Sequence, residues 1–184
     1  MNEQTLIAQV LAGKTQAFAY LVSAHQDMAF TLALRIVKNR EEAEEVAQDA
    51  FMKAYRALPS YRFESSFSTW LYRIVFHTAL SALKKKHLPY SICENEEIDT
   101  ADTSTASALE LLESKDRKVL LEKAFYQIPT EAATLLTLFY LDEMSLKEMA
   151  EITGLSTNLI KTKLFRARKT LLKIIDKLQI KKEL

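Results

Sequence analysis

The chain has 184 residues, 48% of them hydrophobic, with 25 Lys and Arg against 24 Asp and Glu, and so a formal net charge of +1. That length and apolar content are enough for one ordinary domain or two small ones with a real core, and they exclude a disordered or fibrous chain. Only two Gly and three Pro are present, and no stretch alternates apolar and polar residues at period two, which together predict an all-α fold.

The first clear element runs from Glu41 to Leu58, with apolar residues at Ala43, Val46, Ala47, Ala50, Phe51, Ala54, Tyr55 and Leu58. This is a helical stripe. The opposite face carries Glu41, Glu42, Glu44, Glu45, Gln48 and Asp49, an anionic surface that suits the positive end of the helix dipole. A solvated face is the plain reading, and a dock for a basic partner is the functional one.

From Ser60 to Lys86 the chain reads "SYRFESSFSTWLYRIVFHTALSALKKK". Aromatic faces can accept unstacked bases at roughly 1 to 3 kcal/mol each while cations follow the backbone, so this mixture suits a single strand. The polar loop "FESSFS" leading into a helix offers hydroxyls and exposed amides to a base flipped from the duplex. At helical spacing Trp70, Leu71, Ile74, Val75 and Thr78 also read as core. Tyr61, Phe63 and Phe67, on or beside the loop, are the aromatics expected to be exposed.

Between Pro89 and about Ser107, "PYSICENEEIDTADTSTAS" lacks helical periodicity and large apolar residues, and reads as a flexible linker. As a coil it would span roughly 25 Å, or about 60 Å pulled straight. An ordered surface loop is the alternative. From Cys93 to Asp116 eight acidic residues face one Lys, a net charge of −7, whereas from Ser145 onward ten basic residues face four acidic ones, a net charge of +6. The near-neutral total therefore hides an acidic tract and a basic tail.

That tail contains "SLKEMAEITGLSTNLIKTKLFRARKTLLKII". Ala150, Gly154 and Ile160 have the spacing of a helix-turn-helix: a small residue where two helices cross, a turn, and an apolar dock for the second helix. Leu146, Met149, Ile152, Leu155, Leu159 and Leu164 form the inner face. Ser156 is placed to cap the second helix, so that Thr157, Asn158, Lys161, Thr162 and Lys163 lie in the half that enters a major groove. Arg166, Arg168, Lys169 and Lys173 fall where phosphates are met.

No stretch approaches the roughly 20 apolar residues of a membrane span, and "MNEQTLIAQV" lacks the basic-then-apolar layout of a signal peptide. A cytoplasmic protein without membrane insertion is expected. Cys93 alone forms no internal disulfide, and His25, His77 and His87 are too scattered for a metal site. With no glycine-rich phosphate loop and no nucleophile beside a base, neither enzyme activity nor a cofactor is expected.

Three blocks in this order resemble the extracytoplasmic-function group of sigma-70-type factors. "EEAEEVAQDAFMKAYRAL" resembles the polymerase-binding helix, where Gln48, Asp49 and Phe51 match and Glu42 and Glu45 replace the usual aspartates. "FSTWLYRI" is similar to the segment that recognises and melts the minus-ten element, and "LKEMAEITGLSTNLIKTKLFRARKTL" to the domain that reads the minus-thirty-five element. The resemblance implies residues 1–88 as a first domain, 89–116 as linker and 117–184 as a second. It implies core RNA polymerase, promoter DNA and an anti-sigma factor as partners. Polymerase contact falls to Glu42, Glu45, Gln48, Asp49 and Phe51. Minus-ten contact falls to Tyr61, Arg62, Phe63, Ser65, Phe67, Ser68, Trp70, Arg73, His77, Lys84, Lys85 and Lys86, and minus-thirty-five contact to Ser156, Thr157, Asn158, Lys161, Thr162, Lys163, Arg166 and Arg168. The acidic linker would run near the active-centre channel, imitating nucleic acid. His77 and Ser81 depart from the asparagine and aspartate usual in the family, and "TNLIKTKL" departs from its "GTVKSRL" run, which makes Asn158 and Thr162 the main specificity positions.

Two other readings compete. A stand-alone helix-turn-helix regulator would bind an operator without polymerase, and a helical adaptor would show no salt-dependent DNA binding at all. Neither needs the acidic helix or the aromatic loop.

Overall fold

Local signals set where each helix begins and ends. The computed structural model describes residues 2–86 and 114–180, and among these every regular element is helical. Helices α1 (Glu3–Leu11), α2 (Gln16–Val37), α3 (Arg40–Ala57) and α4 (Phe67–Lys85) form a first set, and α5 (Ser114–Gln127), α6 (Thr130–Leu136), α7 (Leu146–Thr153) and α8 (Thr157–Ile180) a second. The sequence pattern gave no element before Glu41, yet α1 and α2 fill that region. Apolar residues are spread broadly around α2, and α1 carries only a short stripe of Leu6, Ile7 and Val10. Most of the expected 89–116 linker, with Cys93, His87 and the acidic tract, lies outside the described residues, and its last three positions fall inside α5.

Helix α2 reverses into α3 through Lys38 and Asn39. Lys38 takes a left-handed conformation, φ 55°, and its N–H donates to the Leu34 carbonyl, a geometry that costs a non-glycine residue about 1 kcal/mol. Asn39 then caps α3 by accepting the Glu42 N–H at 3.0 Å, and Glu41 and Glu42 in the first turn favour the dipole. Buried Ala43, Ala47, Ala50 and Ala54 give α3 a narrow flank against which α2 and α4 pack closely. Leu21, Leu32 and Ile36 from α2 and Leu71, Val75 and Phe76 from α4 fill the space between. Each such side chain contributes roughly 1.5 to 3 kcal/mol of burial.

In the second set a π-helical turn, Thr137–Leu141, follows α6. Helix α7 begins with a capping box: the Ser145 hydroxyl accepts the Glu148 N–H, and the Glu148 side chain accepts the Ser145 N–H at 2.9 Å. Gly154 ends α7 at φ 77°. Met149, Ile152, Leu155, Ile160 and Leu164 are buried as the helix-turn-helix pattern predicts, while Leu146 and Leu159 are half-buried.

The two sets are pressed together. Helix α4 packs on α7, α2 packs on α6, and one continuous buried cluster runs from Leu6 to Ala167.

Candidate nucleic-acid interface

The inward Ala stripe of α3 turns its acidic side outward. Glu45, Gln48 and Asp49 are exposed, whereas Glu42 is half-buried and pairs with Lys86 at the end of α4. One ion pair thus joins a residue expected at polymerase to one expected at DNA. Phe51 is 8% exposed. Its ring belongs to the core that orients α3, so it does not present a contact surface.

Past α3 the chain makes a 3-10 turn, Leu58–Ser60, and then the aromatic loop. The Tyr61 hydroxyl donates to the Ser65 carbonyl at 2.7 Å, which closes the loop on itself. Phe63 is exposed and held at φ 58°, a conformation that a bulky side chain rarely adopts and that marks stored strain. Its ring lies 4.6 Å from that of Tyr61, and Tyr61 in turn lies 5.0 Å from Trp70. Ser66 starts α4 by accepting the Thr69 N–H at 3.0 Å. Phe67, expected to be exposed, is 2% exposed. As the first residue of α4 it points inward, within 5.6 Å of Trp70 and 5.4 Å of His25, and supports the loop from beneath.

Between loop and helix lies a cleft of about 450 Å³ lined by Tyr61, Arg62, Ser65, Thr69, Trp70 and Arg73, with Ser60, Glu64 and Glu151. Beside it a shallower hollow of about 380 Å³ is lined by Lys53, Arg73, His77 and Ser81 among others. Trp70 and Arg73 border both. Tyr61, Ser65, Ser68 and Trp70 are half-buried, while Arg62, Arg73, His77, Lys84 and Lys85 are exposed. Partial burial, and then the charges of Arg73 and Lys84, hold the His77 imidazole below its ordinary pKa, so near neutral pH it offers a neutral hydrogen-bonding group. Ser81 donates to the His77 carbonyl at 2.8 Å. Lys53 was not singled out by the sequence pattern because it stands on α3. Its ammonium donates to Thr78 of α4 at 3.2 Å beside the hollow, a placement that depends on helix packing.

On the second set, Ser156, Thr157, Asn158 and Lys161 are exposed at the start of α8. The Ser156 hydroxyl accepts the Leu159 N–H at 3.3 Å, the expected cap. The Thr162 hydroxyl donates to the Asn158 carbonyl one turn earlier, at 3.2 Å. Lys163 departs from its expected place in the groove. Its ammonium approaches Glu131 of α6 at 2.9 Å, with the two side chains only 12% and 19% exposed, because its position on α8 faces α6. The approach is an ion pair without hydrogen-bond alignment at the Glu131 Oε1 atom. Arg168 is exposed and donates to the Tyr140 hydroxyl at 3.2 Å, and Arg166 is half-buried.

Among the described residues no group of His, Cys, Asp and Glu could hold a metal ion, and no helix is long and apolar enough to cross a membrane.

A helical set bearing an aromatic, cationic cleft, joined to a second carrying a helix-turn-helix, defines a chain of the sigma type. The model of Sigma-70 region 2 matches residues 21–88 and that of Sigma-70 region 4 matches residues 118–171. The chain is 32% identical to the RNA polymerase sigma-H factor of Pseudomonas aeruginosa, covering 96% of this chain and 95% of that one. It is 30% identical to the ECF RNA polymerase sigma factor SigW of Bacillus subtilis, covering 91% and 93%. In fold it is similar to the sigma factor RpoE of Bartonella quintana, solved in complex with the anti-sigma factor NepR: the TM-score is 0.64 at 21% identity, over 86% of this chain and 96% of that one. The chain belongs to the sigma-70 family, in its extracytoplasmic-function group.

Proposed function

We propose that this alternative sigma factor directs promoter-specific transcription by dividing three contacts among its surfaces. The exposed side of α3, through Glu45, Gln48 and Asp49, docks on core RNA polymerase. The cleft lined by Tyr61 and Trp70 takes an unpaired base of the minus-ten element, with Arg62, Arg73, Lys84 and Lys85 along the backbone. Asn158, Thr157 and Lys161 read the minus-thirty-five element, with Arg168 on phosphate. Residues 1–88 and 117–184 act as the two promoter-binding domains, with 89–116 as the linker between them. The protein works by binding alone, in the cytoplasm, and an anti-sigma factor is a further partner, by analogy with the complex of RpoE with the anti-sigma factor NepR.

The observation that carries this reading is the cleft. The Tyr61 ring, a tryptophan edge and two arginines meet around a volume fit for a base, with the exposed Phe63 ring stacked on Tyr61 beside it, and a stand-alone regulator of duplex DNA would have no use for it. The test adds purified protein to core polymerase and scores transcription from defined promoters. Binding to core and promoter-dependent transcripts are expected. A chain that binds operator duplex but not core would instead be the stand-alone regulator.

A further inference from the structure

Helix α1 carries a carboxylate on its inward face. Leu6, Ile7 and Val10 form its buried stripe, and Glu3 stands three and four residues before the first two, where the same face continues. Glu3 is half-buried there, and the His25 Nε2–H of α2 donates to its carboxylate at 2.8 Å. The His25 side chain is 12% exposed. Burial of three apolar side chains already fastens α1 to α2, so the polar pair is not what keeps the helix in place.

His25 connects the pair to the proposed base cleft. Its ring packs 5.4 Å from that of Phe67, and Phe67 lies 5.6 Å from Trp70 and 6.0 Å from Tyr61, the two aromatic walls of the cleft. Helix α1 also packs on the 3-10 turn Leu58–Ser60 that leads into the aromatic loop. Burial, and after it the charge of Glu3, pushes the Tyr61 hydroxyl above its ordinary pKa, so it keeps the hydrogen that it donates to the Ser65 carbonyl. Glu3 therefore acts on the loop both through packing and through its field.

The loop itself has little to set its shape. Residues 61–66 form no helix, and Phe63 is held at φ 58°. A base enters between Tyr61 and Trp70 at least cost when both rings are fixed beforehand, because ordering them on binding would reduce affinity. Part of that support comes from α1, which lies ahead of the residues 21–88 that match Sigma-70 region 2.

We propose that Glu3 and His25 are positioning residues of the minus-ten site: their hydrogen bond fixes the His25 ring against Phe67, and Phe67 holds Tyr61 and Trp70 at the spacing that accepts a base. The proposal rests on the reading of the cleft given above.

The test uses the full chain. Trp70 is its single tryptophan, so emission from the free protein reports on the cleft wall directly. Glu3→Ala and His25→Ala should shift that emission to longer wavelength and raise its quenching by acrylamide. Glu3→Gln, whose amide oxygen still accepts the His25 N–H, should leave both unchanged. Base capture is read in the complex with core RNA polymerase, on a labelled fork DNA with a single-stranded minus-ten overhang of mixed sequence and on the same fork with abasic sites throughout the overhang. The wild type should prefer the intact strand. Glu3→Ala and His25→Ala should each lower that preference about fivefold, the weaker end of what one stacked base contributes. The two together should be no worse than His25→Ala alone, and Glu3→Gln should keep the preference. A pair that only fastened α1 would lower the urea midpoint and leave the emission and the strand preference of the folded protein as they are, and that outcome overturns the proposal. So does a Glu3→Gln protein as impaired as Glu3→Ala. The Glu3 side chain is 43% exposed, so its variants are expected to fold, and they carry the test if circular dichroism shows His25→Ala unfolded. A wild type that binds both forks equally removes the cleft assignment and the positioning role with it. A wild type that prefers the intact strand, beside a Glu3→Ala protein with the same preference, leaves the cleft standing and overturns the positioning role alone.

Discussion

Lys163 separates a DNA-contacting role from a structural one. It was expected in the major groove, yet its ammonium is paired with Glu131 and its side chain is 12% exposed. Exposed pairs contribute about 0 to 1 kcal/mol, and breaking fully buried ones costs about 3 to 5. A pair this enclosed, but still reached by solvent, falls between, so Lys163→Ala should cost about 2 kcal/mol, mostly because the part-buried Glu131 carboxylate loses the cation paired with it. For a chain of this length that is a fall in melting temperature of about 4 to 8 °C. DNA affinity should keep its salt dependence, because a lysine turned toward α6 releases no counterion. Lys161, exposed one turn into α8, should behave the other way. Lys161→Ala should leave the melt unchanged and reduce the slope of log affinity against log salt by about 0.9. The assay is duplex binding by the polymerase-bound chain between about 50 and 200 mM salt, beside thermal melts of the free chain. Replacing both partners, Lys163→Met with Glu131→Leu, should recover most of the lost stability. A Lys163→Ala protein that melts with the wild type and loses about one unit of slope would refute this account.

Gly154 sits at φ 77° with open space where a side chain would go, so Gly154→Ala is a matter of backbone strain alone and should cost about 1 kcal/mol in a urea titration. Phe63→Ala should weaken minus-ten strand binding by roughly 1 to 3 kcal/mol while leaving the melt unchanged or slightly raised, since the ring is exposed and its φ of 58° is strained. Burial is the leading influence on Asp142 and pushes its carboxyl above the ordinary value of 3.8, against the smaller opposing effect of the Tyr72 hydroxyl. A raised carboxyl pKa adds stability that is fully present below the unfolded value and is lost as pH climbs through the folded one. Asp142→Asn should therefore flatten the pH dependence of the urea midpoint above about pH 4 and raise the midpoint at pH 7. Asn158→Ala should relax base choice at one upstream position by about 1 to 3 kcal/mol, and Thr162→Ala should do less because its hydroxyl already donates to the Asn158 carbonyl. Promoter selection with randomised upstream elements reads both.

What was legible from the residues followed from chemistry local to one helix or turn. Gly154 at the turn, Ser156 at the cap and the α3 stripe each depend on neighbours a few residues away, and each stands where periodicity and capping rules put it. Phe67 and Lys163 differ for one common reason. Each sits at the margin of its helix's buried face, where a turn of a few tens of degrees decides between solvent and a neighbouring helix, and that neighbour comes from elsewhere in the chain. Phe67 meets His25 of α2, and Lys163 meets Glu131 of α6. The Thr69–Glu148 contact joins residues 79 positions apart, and no period in the sequence records such a pair. Glu148 illustrates the limit most clearly. Its spacing from Ser145 announces a capping box and is fully accounted for by one, so nothing in the sequence suggests that the same carboxylate also reaches the wall of a cleft on the other helical set.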